Sequence, residues 1–164
     1  MENYIVINGK KAELTPEQLK ALGIEVPKAN AFEKTENYRE YYSINMTGEV
    51  VSDQDFGDGF ALKRFRAANY CTDKTLMEQR ALHEILNRRL WRFSMLHNGD
   101  MINWDDYSNK YYIFYNHKNN KYYVDYNNEY QTTSTIYFYS KEITQQAIDE
   151  IIKPFIAEHP NFKW

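Results

Sequence analysis

The sequence predicts an α+β fold in which two hairpin-strand-helix half-repeats form antiparallel sheet covered by two amphipathic helices, with a small N-terminal hairpin-helix element. Three observations predict it. Tyrosine-rich runs bounded by turn residues occur twice, with Tyr41-Tyr42 and Tyr111-Tyr112 standing 70 positions apart. Each set leads into a stretch whose apolar residues recur at helical period, behind a residue able to cap it. Near the start, an Asn-Gly pair joins two short strand-like runs.

Tyr4 to Ile7 is apolar, Asn8-Gly9 supplies the two positive-φ positions of a type I′ turn, and Lys10 to Leu14 returns antiparallel. A helix then opens at Thr15-Pro16-Glu17-Gln18. Thr15 caps it, Pro16 stands where no amide hydrogen is needed, Gln18 closes a capping box and Gly23 ends it. This unit, residues 1–24, is too small to be stable alone. Residues 25–37 lack an apolar period and read as a linker to a main body at 38–164.

The first half of that body, about 38–100, starts with a strand from Tyr38 to Ile44, a turn at Thr47-Gly48 and a return over Glu49 to Ser52. An acidic loop follows, then the extended Asn69-Tyr70-Cys71, with Thr72 capping a helix from Asp73 to about Leu96. Its predicted core stripe is Leu76, Leu82, Ile85, Leu86, Leu90, Phe93 and Leu96. The second half, about 107–160, has strands at Lys110 to Tyr115 and Lys121 to Tyr126, joined by a turn at His117 to Asn120, and a third strand at Ile136 to Tyr139. Ser140 caps a helix from Lys141 that carries Ile143, Ala147, Ile148, Ile151, Ile152, Phe155 and Ile156. Pro154 marks a kink or an early end near Lys153.

Cys71 is the only cysteine, which excludes an internal disulfide and thiolate-based metal cages. No apolar run reaches the roughly 18 residues that a bilayer requires, and Met1-Glu2-Asn3-Tyr4 lacks the profile of a signal peptide. The expectation is a cytoplasmic protein without membrane contact. The net charge of −3 conceals an asymmetry: Ala61 to His97 holds eight basic against three acidic residues, an excess of +5 that leaves −8 for the remainder.

No catalytic constellation emerges, and neither a cofactor nor a metal is expected. His83, His97, His117 and His159 are scattered, with no two at ligand spacing. A thiolate at Cys71 would be favoured by the following helix start, but the residue reads more simply as a small core hydrophobe. Ser52 to Gly59 carries Asp53, Asp55 and Asp58; an EF-hand would place glutamate where Arg64 stands, so the segment reads as a solvated turn. The glycines follow neither a phosphate-loop nor a dinucleotide pattern.

Surfaces carry more information. Arg80, Arg88 and Arg92 share a helix face with Glu84 between them and Arg89 beside, a row able to fork to phosphates or carboxylates unless it is merely a solvated face. Ten of the fifteen tyrosines lie between Tyr107 and Tyr139, so strand alternation must sort them onto two faces. Tyr111 and Tyr115 share one, Tyr112 the other, and Tyr122, Tyr123 and Tyr126 divide likewise. One face covers a helix; the other offers rings to nucleobases or to a protein, unless packing and ordinary sheet surface absorb them.

Three stretches bring a family into view: Ile7-Asn8-Gly9-Lys10 with Glu17 to Lys20 and Leu22-Gly23-Ile24; Tyr41 to Ile44 with Gly48-Glu49-Val50; and Asn69-Tyr70-Cys71-Thr72. The chain resembles a group of uncharacterised proteins encoded by phages and prophages of Gram-positive and gut bacteria. In that group a hairpin and helix precede a "YY-I…GEV" strand pair and an "R…GNYF-T" segment opening a long helix. Here Arg66 takes the arginine position, while Ala68 and Cys71 replace the glycine and phenylalanine. The resemblance implies origin and fold, and by class analogy a non-enzymatic accessory protein that binds a host protein or protein–nucleic acid complex, such as an anti-CRISPR-like inhibitor of host defence. A nucleic-acid-binding module using the arginine face and the tyrosines, a virion structural component and an enzyme with an unfamiliar site are the alternatives; oligomeric state is left open.

Overall fold

The computed structural model describes residues 4–7, 10–23, 30–35, 38–57, 59–99 and 101–164 in two units, Met1–Glu33 and Lys34–Trp164. In the first, β1 (Tyr4–Ile7) pairs antiparallel with β2 (Lys10–Glu13), Tyr4 facing Glu13 and Ile7 facing Lys10. The expected Asn8-Gly9 turn lies outside the described residues. Before α1 (Pro16–Ala21) the capping box is formed: Gln18 N donates to Thr15 Oγ1 at 3.3 Å and Thr15 N to Gln18 Oε1 at 2.8 Å. Gly23 follows at φ 70°, a conformation glycine adopts without strain.

Much of the expected linker, residues 24–29 and 36–37, also lies outside the described residues. Lys34 and Thr35 belong to the second unit. Lys34 Nζ sits 2.8 Å from Asp55 Oδ2, and Thr35 N donates to the Tyr70 hydroxyl at 3.2 Å.

In the second unit β3 (Glu40–Ile44) pairs antiparallel with β4 (Val50–Gln54). Asn45 Oδ1 organises the turn by accepting from Thr47 N and Glu49 N, both at 2.9 Å. Gly48 has φ 93°, where a side chain is strained, and a Cβ there would also approach Ile85 Cγ1 to 3.1 Å, so that the Ile85 side chain would have to give. The next element, α2 (Gly59–Arg66), was not anticipated. Its one buried residue is Ala61, too little to print a period on the sequence, while Lys63, Arg64 and Arg66 in the last turn suit the helix dipole.

Asp73, not Thr72, caps the long α3 (Lys74–Asn98): its carboxylate accepts from Leu76 N at 3.1 Å, three residues on, and its backbone is extended. The core face of α3 carries Met77, Ala81, Leu86, Leu90 and Phe93. Leu76 and Leu96, expected in that stripe, are exposed. Leu76 stands one residue, about 100°, round the helix from buried Met77, and Leu96 is turned outward from the face that carries Phe93.

β5 (Lys110–Asn116) and β6 (Lys121–Asn127) form the second hairpin, with Ile113 opposite Val124. Ser140 caps α4 (Lys141–Ala147), its Oγ accepting from Ile143 N at 3.3 Å. The chain then widens into a π turn, Ile148–Ile152, before α5 (Lys153–Glu158). Pro154 explains the widening. It has no N–H and its ring would strike the carbonyl four residues back, so the helix continues through a turn in which Lys153 N donates to Ile148 O.

The fold is thus mixed α+β, with each hairpin an independent two-stranded antiparallel sheet. The expected third segments contribute single bridges, Tyr42 with Cys71 and Tyr111 with Phe138. Side-chain amides complete the pairing in place of a further strand. Asn69 Oδ1 accepts from Ile44 N and its Nδ2 donates to Ile44 O, both at 2.7 Å. Asn98 does the same for Tyr139 N (3.1 Å) and Tyr137 O (2.8 Å), and Gln79 for Lys163 N (2.9 Å) and Asn161 O (3.0 Å).

One core cluster joins Leu86, Leu90 and Phe93 of α3 to Phe138, Ala147, Ile148, Ile152 and Phe155, with Ile113, Tyr122 and Val124 of the second hairpin packed on it. Another holds Tyr41, Ala61 and Tyr70 with Phe65 against them, and the rings of Tyr41 and Tyr70 stack at 4.4 Å. No helix among the described residues is long and apolar enough to cross a membrane.

Candidate protein-binding surface

The arginine row is largely engaged within the fold. Glu84 Oε1 meets Arg80 Nε and Glu84 Oε2 meets Arg88 Nη2, each at 3.1 Å, and Arg80 also donates to the Ala68 carbonyl. Arg89 reaches Glu158 at 3.1 Å and lies 5.3 Å from the centre of the Phe155 ring. Arg92 has no ion pair among the described residues and is exposed.

The tyrosines divide as strand alternation requires. Directly opposed residues of an antiparallel pair share a face, so Tyr111, Ile113, Tyr115, Tyr122, Val124 and Tyr126 line one side. That side faces the core at Ile113, Tyr122 and Val124, and Trp164 closes its end by stacking on Tyr115 at 5.6 Å and donating Nε1 to the Tyr122 hydroxyl at 2.6 Å. Tyr111 and Tyr126 meet at the far end, ring centres 6.0 Å apart, with Tyr126 exposed. On the outer side Tyr123 stacks on Phe114 at 5.4 Å, and Tyr112 packs edge-on against Tyr137. Of the six proposed tyrosines, Tyr123 and Tyr126 are the exposed ones.

Three large apolar side chains close in sequence stand exposed elsewhere, at the C-terminal end of α3. Trp91 is 60% exposed, Met95 54% and Leu96 75%. Beside them runs a cleft of about 560 Å³ whose walls include Trp91, Met95, Ile102, Trp104 and residues 131–137. Trp91 and Met95 are four apart, on one helix face, but off the line of Leu86, Leu90 and Phe93. That displacement from the core stripe was the readable signal for this surface.

A buried lysine fixes the far wall. The Lys110 side chain is only 2% exposed; its ammonium ion-pairs with the Asp106 carboxylate and donates to Asp106 O at 3.0 Å and Ser108 Oγ at 2.9 Å. It also lies 5.4 Å from the centre of the Trp104 ring, which meets Tyr137 edge-on at 5.0 Å. The loop is therefore tied to the root of β5. Hydrogen bonds from Lys110, then from Ser108, hold the Asp106 carboxyl down at about 2. Because the folded value is lowered, the attachment is complete above the ordinary aspartate range and is lost as pH falls through about 2. In a Lys110→Met variant, carboxyl-carbon NMR should show Asp106 titrating higher, part of the way back to the ordinary value of about 3.9, since the Ser108 hydrogen bonds remain; an unchanged titration would remove Lys110 from this role.

The acidic segment departs from the expected solvated turn. Asp55 is wholly buried, held by Lys34, Tyr70 and the Gly57 amide, and Asp53 pairs with Arg64 at 2.8 Å; Asp58 lies outside the described residues. Cys71 is buried, and burial pushes its thiol up, away from the thiolate a nucleophile needs. The histidine rings pack on aromatic neighbours, His97 on Phe93 at 3.9 Å and His83 on Phe162 at 4.6 Å. Among the described residues no group of three His, Cys, Asp or Glu side chains is placed to hold a metal ion. No family model, curated protein or solved structure matches the chain.

Proposed function

We propose that the chain is a non-enzymatic accessory protein of phage type that acts in the host cytosol by binding a protein, and that the exposed end of α3 with its cleft is the contact surface. The observation that carries this reading is the exposure of Trp91, Met95 and Leu96 beside a cleft walled by a second tryptophan. Tryptophan and methionine are enriched in the cores of interfaces, and folding alone gives no reason to leave them in water on one stretch of helix. The resemblance to phage-encoded proteins supports a host protein as partner and inhibition of host defence as the outcome. Recognition of nucleic acid is less well supported, because Arg80, Arg88 and Arg89 each face a carboxylate and the chain is acidic overall. The paired bridges, each leading into a capped helix, support an internal duplication of hairpin and helix as the origin of the body.

The test is a comparison of proteins retained from bacterial lysate by the wild-type chain and by the W91A/M95A variant. Both side chains are exposed, so the variant should fold. Loss of a central tryptophan contact costs about 2 kcal/mol or more, so affinity for the retained protein should fall about 30-fold with Trp91→Ala alone. Identical retention by both chains would overturn the reading.

A further inference from the structure

We propose that the segment seated on this surface is an acidic peptide with an apolar anchor: a short stretch of the partner that places one large apolar side chain in the cleft and carboxylates along the α3 rim. This rests on the protein-binding reading above and adds the chemistry of the partner.

The charge on the rim decides it. Arg88 is three residues from Trp91 and four from Arg92, and Arg92 is four from Leu96, so two arginine positions are interleaved with the exposed apolar ones on neighbouring sites of the helix, Arg88 leaning back toward Glu84. Glu84 supplies one negative charge and divides it between Arg80 and Arg88. Arg92 has no acidic partner among the described residues. The rim therefore carries the whole charge of Arg92 and the part of Arg88's that Glu84, shared with Arg80, leaves unanswered. On the opposite wall Asp106 is matched by Lys110, which leaves Asp105 beside Trp104, and the stretch from Gln131 to Tyr137 bears no charge. The cleft is thus apolar and polar-neutral inside, cationic along α3 only.

An apolar anchor satisfies Trp91, Met95 and Trp104, and carboxylates beside it satisfy Arg88 and Arg92 in the forked geometry that guanidinium groups favour. A second copy of this chain docked by two-fold symmetry would bring the same cationic rim to both sides of the contact, and like charges across an interface are disfavoured. A basic or neutral segment would leave Arg92 desolvated without a partner and Arg88 with only its share of Glu84.

Panning a random-peptide display library against the immobilised chain, with the W91A/M95A variant as counter-selection, tests the proposal. Enriched peptides should combine an aromatic or aliphatic residue with flanking Asp or Glu, bind at least tenfold more weakly to R88E/R92E, and regain affinity for that variant when their acids are changed to lysine. Arg92→Gln alone, at an exposed position, keeps the test readable if the double reversal fails to fold. Enrichment that is lost in W91A/M95A but shows no acidic bias and is indifferent to R92Q overturns the charge assignment and leaves the protein-binding surface standing. Failure to enrich any peptide overturns the proposal of a linear segment, while the lysate comparison continues to decide the wider reading. Sedimentation as a dimer that W91A/M95A converts to monomer, or oligonucleotide binding that R88E/R92E abolishes, would equally overturn it, in favour of a second copy or a nucleic acid.

Discussion

Replacing Asp55 with alanine should lower the stability of the second unit by about 3 kcal/mol, read as a drop in the guanidinium chloride midpoint. Asp55 Oδ2 receives Lys34 Nζ at 2.8 Å and the Tyr70 hydroxyl at 3.1 Å, and Oδ1 receives Gly57 N at 2.9 Å. Removing the carboxylate takes the acceptor from three donors at once, of which the Tyr70 hydroxyl keeps Thr35 Oγ1 as a neighbour. Lys34 is partly exposed and can turn to water, which keeps the expected loss at the lower end of that for a broken buried pair. Burial pushes the Asp55 carboxyl up, but the hydrogen bonds from Lys34, Gly57 N and Tyr70 outweigh it and hold it below its ordinary value. With the folded value lowered, the carboxylate's contribution is present above the unfolded value of about 3.9 and disappears as pH falls through the folded one. Wild-type stability should therefore decline across that acidic window more steeply than that of Asp55→Asn, which retains an acceptor for Gly57 N but no charge for Lys34. Equal midpoints for Asp55→Ala and wild type would mean that this network contributes nothing.

Asp55 also shows where sequence reasoning stops. Three acids within a few positions look solvated in one dimension, and only the meeting of Lys34, the Tyr70 hydroxyl and the Gly57 amide around Asp55 accounts for the burial of one of them. Signals contained within a few residues were legible. The Thr15–Gln18 box, the Ser140 cap and both tyrosine hairpins depend on neighbours in sequence, and all are formed. The shift of the α3 cap from Thr72 to Asp73 is the same signal displaced by one residue. Features that join distant segments were not legible. Glu158, which engages Arg89, is 69 residues away from it, and the amides of Asn69, Asn98 and Gln79 could not be seen as substitutes for strand backbone before the segments they pair were brought together. For the candidate surface the information was present but assigned elsewhere. Helical period alone puts Leu96 in the core stripe, although Trp91 and Met95 mark a second apolar line on the same helix.

Truncating Phe155 to alanine should cost about 4 kcal/mol, within the range found for buried phenylalanines. The ring is wholly buried among Leu86, Leu90, Ile148 and Ile152, with Arg89 over one face and Phe162 edge-on at 5.4 Å. Its loss opens a cavity and also loosens the C-terminal segment, in which Phe162 follows Asn161, held by Gln79, and precedes Trp164, bonded to Tyr122. Phe155→Leu keeps most of the volume and should cost less than about 1.5 kcal/mol. The variant further tests whether the two clusters unfold together. They share no member, yet α3 packs its core face in one while the turn at Gly48 seats against its Ile85, so a single helix serves both halves. If that helix couples them, Phe155→Ala must lower the transition of the Tyr42–Cys71 bridge beside the Tyr41–Tyr70 stack, followed by its amide NMR signals, by the same amount as the helical signal at far-ultraviolet wavelengths. Separate transitions would mean that the clusters are independent folding units. In that case Asp55→Ala and Phe155→Ala would each unfold its own half, instead of adding to about 7 kcal/mol in one cooperative loss.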